Sequence, residues 1–478
     1  MRIVFVHNGP ESLGVEYLSS VLRSKGHEVF LAYEPVLPGS GFSAGAEELP
    51  EPGSRERLLA GKAAGFRPDL ACFSCLAESY RWSLGLARAL KEKLAIPVVF
   101  GGVHPTAVPE KVLANDFVDF VIRGEAEFAL LDLVAHLAAR EPREKLLTVP
   151  NVCFRLDGAV RLNPPRPYIA DLDALPFPDK RLFFEADGFF TGNPYLIIAS
   201  RGCPYACTYC SNFMYRELYG VKARHVRRRS QDNVIEELAL AKARWKPARI
   251  HFVDDVFTSS PEWLADFIWK YRSRIGLPFY CNVNPRCVTK ETVALLKAGG
   301  CDLVGIGIES GSERVRREDY GRFETNDRII AAMSLLKEAG ISVQADNILG
   351  APSETEEDLK RSLELYRKIK PDIIINFWLT YYPRTKIVEK AKERGFLSDA
   401  DIALLEDGHI GRNQATGSLG KDRVRLFLKY EFMIELSCVC RSDLIFSALC
   451  RLAPLIPFKK AISLLIIWHC LKRKNFMP

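Results

Sequence analysis

The chain has 478 residues, 48% of them hydrophobic, and a formal net charge of +7, enough for roughly two to four domains with real cores. The charge is local: residues 421–478 hold eleven of the 66 Lys/Arg and four of the 59 Asp/Glu, leaving 55 of each sign elsewhere. A neutral body argues against a nucleic-acid partner. The apolar start breaks at His7 to Pro10, too early for a secretory signal, and the 13 cysteines of a chain expected in the cytoplasm read as thiols and metal ligands rather than disulfides.

Residues 1–147 alternate short β-rich runs at 2–6, 29–33, 70–73, 98–100 and 117–122 with helical patterns at 14–24, 81–94 and 127–139. That alternation predicts a doubly wound parallel sheet. The Pro-, Gly- and Ser-rich stretch 34–65 reads as an exposed insertion, and the proline-rich stretch 148–194 as a linker. A second alternating series fills 195–395, with strands at 195–200, 249–253, 279–283, 303–308, 342–349 and 373–379 and helices such as 231–244 and 326–338. Six β/α units are too few to close an eight-stranded barrel, so an open, partial (β/α)6 barrel is expected. Residues 396–478 read as a helical extension with a basic amphipathic tail.

Just after the first strand of that second series stand Cys203, Cys207 and Cys210, spaced CxxxCxxC. Three cysteines ligate three irons of a [4Fe–4S] cube and leave the fourth open for the amino and carboxylate groups of S-adenosylmethionine (SAM); an electron from the cluster then breaks the sulfonium bond and releases a 5′-deoxyadenosyl radical. A structural zinc site needs a fourth ligand, for which His225 is the nearby candidate. Three unrelated core cysteines are the remaining alternative.

With this motif the chain resembles the radical SAM superfamily. The resemblance places Tyr209 beside the adenine, the segment Glu309, Ser310 and Gly311 at the SAM ribose and amino group, and the turn Gly350 to Pro352 beside the adenine. Each follows a predicted strand, at the end of a barrel where active sites lie. Asp254, Asp255, Asn282 and Arg286 share that rim, Arg286 as a candidate for the SAM carboxylate and the two aspartates with helix capping as their plainer role. Where the family often has Pro-Gly-Thr, this chain has Pro383, Arg384 and Thr385.

The first domain carries Ser74 and Leu76 after its third strand and Gly101, Gly102 and His104 after its fourth, which resembles the Ser-x-Leu and Gly-Gly pair of cobalamin-binding domains. The run Arg123, Gly124, Glu125, Ala126, Glu127 is similar to one in radical SAM enzymes that carry such a domain. Glu11 stands where a cobalt-ligating histidine is found in other cobalamin proteins, so the resemblance implies base-off cobalamin without a histidine ligand. A domain that merely braces the barrel is the alternative. His104 and His7 are open as corrin contacts, and Cys72 and Cys75 read as packed thiols.

Together these readings predict a cobalamin-dependent radical SAM enzyme that methylates an unactivated carbon or a phosphorus of a small molecule. A cobalamin-assisted cyclase or oxygenase is the enzymatic alternative, and a cobalamin or redox sensor the non-enzymatic one. The expected partners are the small-molecule substrate and a reductase, ferredoxin or flavodoxin as electron donor. The apolar runs 444–449 and 461–471, set among Lys and Arg, suit either a cap over the barrel or contact with an anionic membrane surface, the latter pointing to a hydrophobic substrate.

Overall fold

The computed structural model describes residues 1–34, 54–186, 194–220, 223–409 and 421–440, with 442 and 446. The first sheet comprises β1 (Arg2–Asn8), β2 (Glu28–Glu34), β3 (Leu70–Ser74), β4 (Val98–Gly101), β5 (Phe120–Ile122), β6 (Val152–Leu156) and β7 (Ala159–Leu162), in the order β2-β1-β3-β4-β5-β6-β7. Strands β1 to β5 run parallel. Parallel strands are covered on both faces, and the period of two divides their side chains accordingly. Ile3, Phe5 and Leu31 enter one core with the helices Leu13–Ser24 and Glu127–Ala138, while Val4, Val6 and Ala32 enter another with Ser54–Gly65 and Ala77–Lys93. The strand order reverses between β1 and β3, which puts a ligand crevice at their carboxyl ends.

Two sequence expectations need correction here. The stretch 148–194, read as a linker, supplies β6 and β7, which extend the sheet in antiparallel fashion. Their turn is Asp157 and Gly158, both at positive φ (51° and 77°), the left-handed geometry of a two-residue hairpin. The insertion 34–65 holds the helix Ser54–Gly65, whose Leu59, Ala60 and Ala63 are buried; its loop-like composition belongs to its first part, of which 35–53 lie outside the described residues.

The second sheet starts with β8 (Tyr195–Ile197). A short antiparallel ribbon follows, β9 (Ser200–Arg201) against β10 (Arg227–Arg228). The sheet continues with β11 (Ile250–Phe252), β12 (Phe279–Val283), β13 (Cys301–Glu309), β14 (Ser342–Leu349) and β15 (Ile373–Trp378). Among the described residues its six strands are all parallel, in the order β15-β14-β13-β12-β11-β8, and the sheet does not close. One face is a helix-covered apolar core containing Phe252, Phe279, Cys281, Val304, Ile306 and Val343. The other presents His251, Tyr280, Asn282, Gln344 and Asp346, all partly exposed, around Gly305 and Gly307. A closed barrel fills its interior with apolar side chains; this open one has a polar lumen.

The helix Lys421–Val439 packs on the flank of the barrel: Phe427, Tyr430 and Ile434 join the core, and Trp378 Nε1 donates to Glu431 Oε1 at 3.2 Å. The apolar runs 444–449 and 461–471 lie, apart from Phe446, outside the described residues. Among the described residues no helix is long and apolar enough to cross a membrane.

Candidate active site

Residues 202–226 leave β9 and return to β10, and this excursion carries all three motif cysteines. Its entry is tight. Gly202 has φ +83°, and a Cβ there would lie 2.0 Å from the His225 carbonyl oxygen. Ala199 N–H donates to Asp254 Oδ2 at 3.0 Å and Ser200 Oγ donates to Oδ1, so the wholly buried Asp254 fastens the bend before the loop rather than facing a ligand. Cys210 caps the helix Ser211–Tyr219, Arg216 donates to the Cys203 carbonyl at 2.7 Å, and Thr208 N–H donates to Tyr320 O at 3.0 Å.

Cys203, Cys207 and Cys210 are free and partly exposed. Burial pushes Cys203 up to about 12 and Cys207 to about 11, and it raises Cys210 as well; the neighbouring Cys207 and Cys210 raise Cys203 further. Such a group gives up its protons when a cation binds. Among the described residues no three Cys, His, Asp or Glu side chains converge as ligands of a single metal ion. A cube does not require that, because each thiolate meets a different iron. His225 is turned to Tyr168, whose hydroxyl is 3.2 Å from its Nδ1. A fourth cysteine does approach the loop: Cys287 Sγ is 3.3 Å from the Tyr205 hydroxyl.

Glu309 ends β13 at φ +68°, beside a register shift against β14. A non-glycine residue held there stores strain typical of functional sites. Burial raises its pKa, while Arg322 and Tyr209 act against that shift. Tyr209 donates to Glu309 Oε1 at 3.0 Å, and Arg322 Nη1 reaches the same oxygen at 3.3 Å, the Tyr209 hydroxyl at 3.4 Å and Cys207 Sγ at 4.0 Å. Arg322 Nη2 donates to the Gly307 carbonyl at 2.6 Å. The fold thus brings a cation, a phenol and a carboxylate against one of the cluster thiols. Arg322 was not visible in the sequence, since its partners lie on three separate segments.

Other expected contacts fare differently. Ser310 is fully buried with its hydroxyl 3.3 Å from that of Ser362, and a Cβ on Gly311 would lie 2.3 Å from Ser362 Cα; both side-chain positions are spent on packing against the helix Glu356–Ile369. The N–H groups of Gly350 and Ala351 are taken by Glu354 Oε2 at 2.8 and 3.2 Å, and Arg423 donates to the carbonyls of Ala351 and Pro352. Asn282 donates to the Asp254 carbonyl at 3.3 Å and accepts from Tyr280 at 3.2 Å. Arg286 is exposed, its guanidinium 5.2 Å over the ring of Tyr205 inside the cluster loop. Asp255 is exposed and 3.2 Å from Asn212 Nδ2.

In the first domain Ser74 ends β3, and Leu76 is 57% exposed in the loop that follows. Cys75 N–H donates to the Gly101 carbonyl at 2.8 Å, and Gly102, at φ +99°, passes so near that a Cβ would lie 2.6 Å from the Cys75 carbonyl oxygen. The Gly-Gly pair therefore locks two crevice loops together. His104 corrects the expectation: it is 1% exposed, and its ring lies 4.2 Å from that of Tyr80. It is sealed in the core and presents nothing to a ligand. His7 Nε2 donates to Pro10 O at 2.9 Å. Cys72 and Cys75 are buried with raised pKa values, as packed thiols.

Glu11, in the loop after β1, is held by Lys180 Nζ at 2.6 Å, and Glu16 reaches the same ammonium at 2.9 Å. All three side chains are at most 3% exposed. The two carboxyl ends meet where Tyr382, beyond β15, donates to Glu78, beyond β3, at 2.5 Å. Crevice and barrel mouth thus adjoin.

Residues 197–366 match the radical SAM superfamily and residues 6–134 the B12-binding domain. An uncharacterized methyltransferase of Pyrococcus horikoshii is 30% identical over 88% of this chain and 89% of its own length. The chain belongs to the cobalamin-binding radical SAM family. It is accordingly an enzyme that uses a [4Fe–4S] cluster, SAM and cobalamin. The anaerobic magnesium-protoporphyrin IX monomethyl ester cyclase of Rubrivivax gelatinosus is 24% identical over 80% of this chain and 68% of its own. In fold, the cobalamin-dependent SAM radical enzyme OxsB matches with a TM-score of 0.69 at 17% identity, over 91% of this chain and 66% of that one.

Proposed function

We propose that this enzyme methylates an unactivated carbon, or a phosphorus, of a small molecule held between the barrel mouth and the cobalamin crevice. The observation that carries the reading is the likeness, along nearly the whole chain, to a protein named as a methyltransferase. When bound, the cluster and SAM supply a hydrogen-abstracting radical and cobalamin supplies the methyl group. The chain's own residues hold these groups and the substrate. Cys203, Cys207 and Cys210 hold the cluster; Tyr209, Glu309 and Arg322 form a hydrogen-bonding set for SAM beside it; Arg286, exposed over Tyr205 of the cluster loop, is the cation offered to its carboxylate. The polar lumen around Asn282, Gln344 and Asp346 supports a substrate with a hydrogen-bonding part rather than a wholly hydrophobic one.

Bound cobalamin would be base-off, as the family resemblance implies, and would take no histidine ligand from the protein. Glu11, at the position of that ligand, is tied to Lys180, His104 is sealed under Tyr80 and His7 is hydrogen bonded to its own loop. An EPR spectrum of the Co(II) form should lack axial nitrogen splitting, and its presence would contradict this.

A second reading, a cobalamin-assisted cyclase, rests on the likeness to the Rubrivivax protein. The reduced enzyme, given trideuteromethyl-SAM and a small-molecule extract of the source cells, decides between the two. Methyl transfer puts three deuteriums into one extract component; 5′-deoxyadenosine formation with no labelled component favours the cyclase.

A further inference from the structure

The run Arg123 to Glu127 lies in the first domain, yet its side chains grip the second at the roots of the cluster loop. Arg201 and Arg227 are cross-strand partners in the β9–β10 ribbon, so they mark the two ends of the excursion that carries Cys203, Cys207 and Cys210. One carboxylate takes both: Arg201 Nη1 is 3.0 Å and Arg227 Nη1 2.7 Å from Glu125 Oε1. Glu127 Oε1 holds the other nitrogen of Arg201 at 2.6 Å. All four side chains are at most 17% exposed, so the pairs are little screened by salt.

The same block also holds the far end of the cluster helix. The Glu125 N–H donates to the Tyr219 hydroxyl at 2.8 Å. Gly124, at φ +74°, leaves room for that phenol, because a Cβ would lie 2.1 Å from its oxygen. On its other side the Gly124 N–H donates to Thr106 Oγ1 at 3.0 Å, and Thr106 N–H donates to the Gly102 carbonyl at 3.1 Å. Hydrogen bonds and ion pairs therefore run without a break from the Gly101–Gly102 loop of the crevice to both roots and the helix of the cluster loop.

We propose that Glu125 is a positioning residue that sets the cluster at a fixed distance and orientation from the cobalamin, with Gly124 and Glu127 as its supports. The inference rests on the reading that both cofactors serve one substrate. Neither glutamate touches a cofactor; each acts through the arginines of the ribbon.

The test uses the full chain reconstituted with cluster and cobalamin, as native protein and as Glu125→Gln. Iron, sulfide and cobalamin contents should match the native values. The enhancement of Co(II) spin relaxation by the reduced cluster, which reports their separation, should fall or become distributed, and amide hydrogen exchange across 201–227 should quicken roughly tenfold or more. Unchanged relaxation and exchange would overturn the proposal. If Glu125→Gln fails to fold, Glu127→Gln, which removes only one partner of Arg201, should show a smaller change in the same two measurements, and no change would again overturn it. Absence of any Co(II)–cluster interaction in the native protein would instead count against the shared-substrate reading, while the exchange measurement still tests the clamp.

Discussion

Arg322 is the cation on which the buried carboxylates beside the cluster depend. It faces Glu309 and also Glu324, at 3.5 Å, with its side chain 9% exposed. Arg322→Met leaves two carboxylates in low dielectric without their counter-charge, a change that costs about 3–5 kcal/mol; urea unfolding should show it, and a loss under about 1 kcal/mol would mean that water reaches the site. Glu354 gives a pH signature. Burial raises it from 4.5 to about 8 against the opposing N–H bonds of Gly350 and Ala351. The folded chain therefore keeps a proton that the unfolded chain releases, so this group's contribution is complete below the unfolded value and is lost as pH rises toward 8. The urea midpoint of the native protein should fall between pH 5 and pH 8, and Glu354→Gln should fall less. Equal falls would contradict the assignment.

At the scale of elements, the parallel strands were legible because each is a short apolar run bounded by turn residues, and the helices at 231–244 and 326–338 because their periodicity ends in clear caps. The hairpin β6–β7 was missed although Asp157-Gly158 is a strong turn signal; the prolines after it dominated the reading. The cysteine motif was legible because its spacing is local. The environments of Ser310, Pro352 and His104 were not, because each depends on another segment of the chain: Ser362, Arg423 and Tyr80. Lys180 is such a case too, tying the loop after β1 to the approach of β8. Lys180→Met should destabilise by about 3–5 kcal/mol, whereas Glu11→Leu and Glu16→Leu added to it should recover most of the loss, because an apolar replacement of a whole buried cluster is often neutral. A triple variant as unstable as the single one would show that packing, not unpaired charge, is at fault.

For the whole molecule, the two sheets meet at their carboxyl ends, where the crevice and the mouth of the open barrel adjoin. Under the proposed function that arrangement would set a radical source and a methyl donor on either side of one substrate, and the radical source requires the three motif cysteines. Replacing Cys203, Cys207 and Cys210 together by Ala should abolish both the cluster absorbance and 5′-deoxyadenosine formation while cobalamin binding persists; a cluster retained by that variant would remove the basis for the site. The most direct test of methyl transfer is the product ratio during anaerobic turnover with substrate. One SAM provides the radical and a second restores the methyl group, so S-adenosylhomocysteine and 5′-deoxyadenosine should appear in roughly equal amounts. Substrate-dependent 5′-deoxyadenosine without S-adenosylhomocysteine would contradict it.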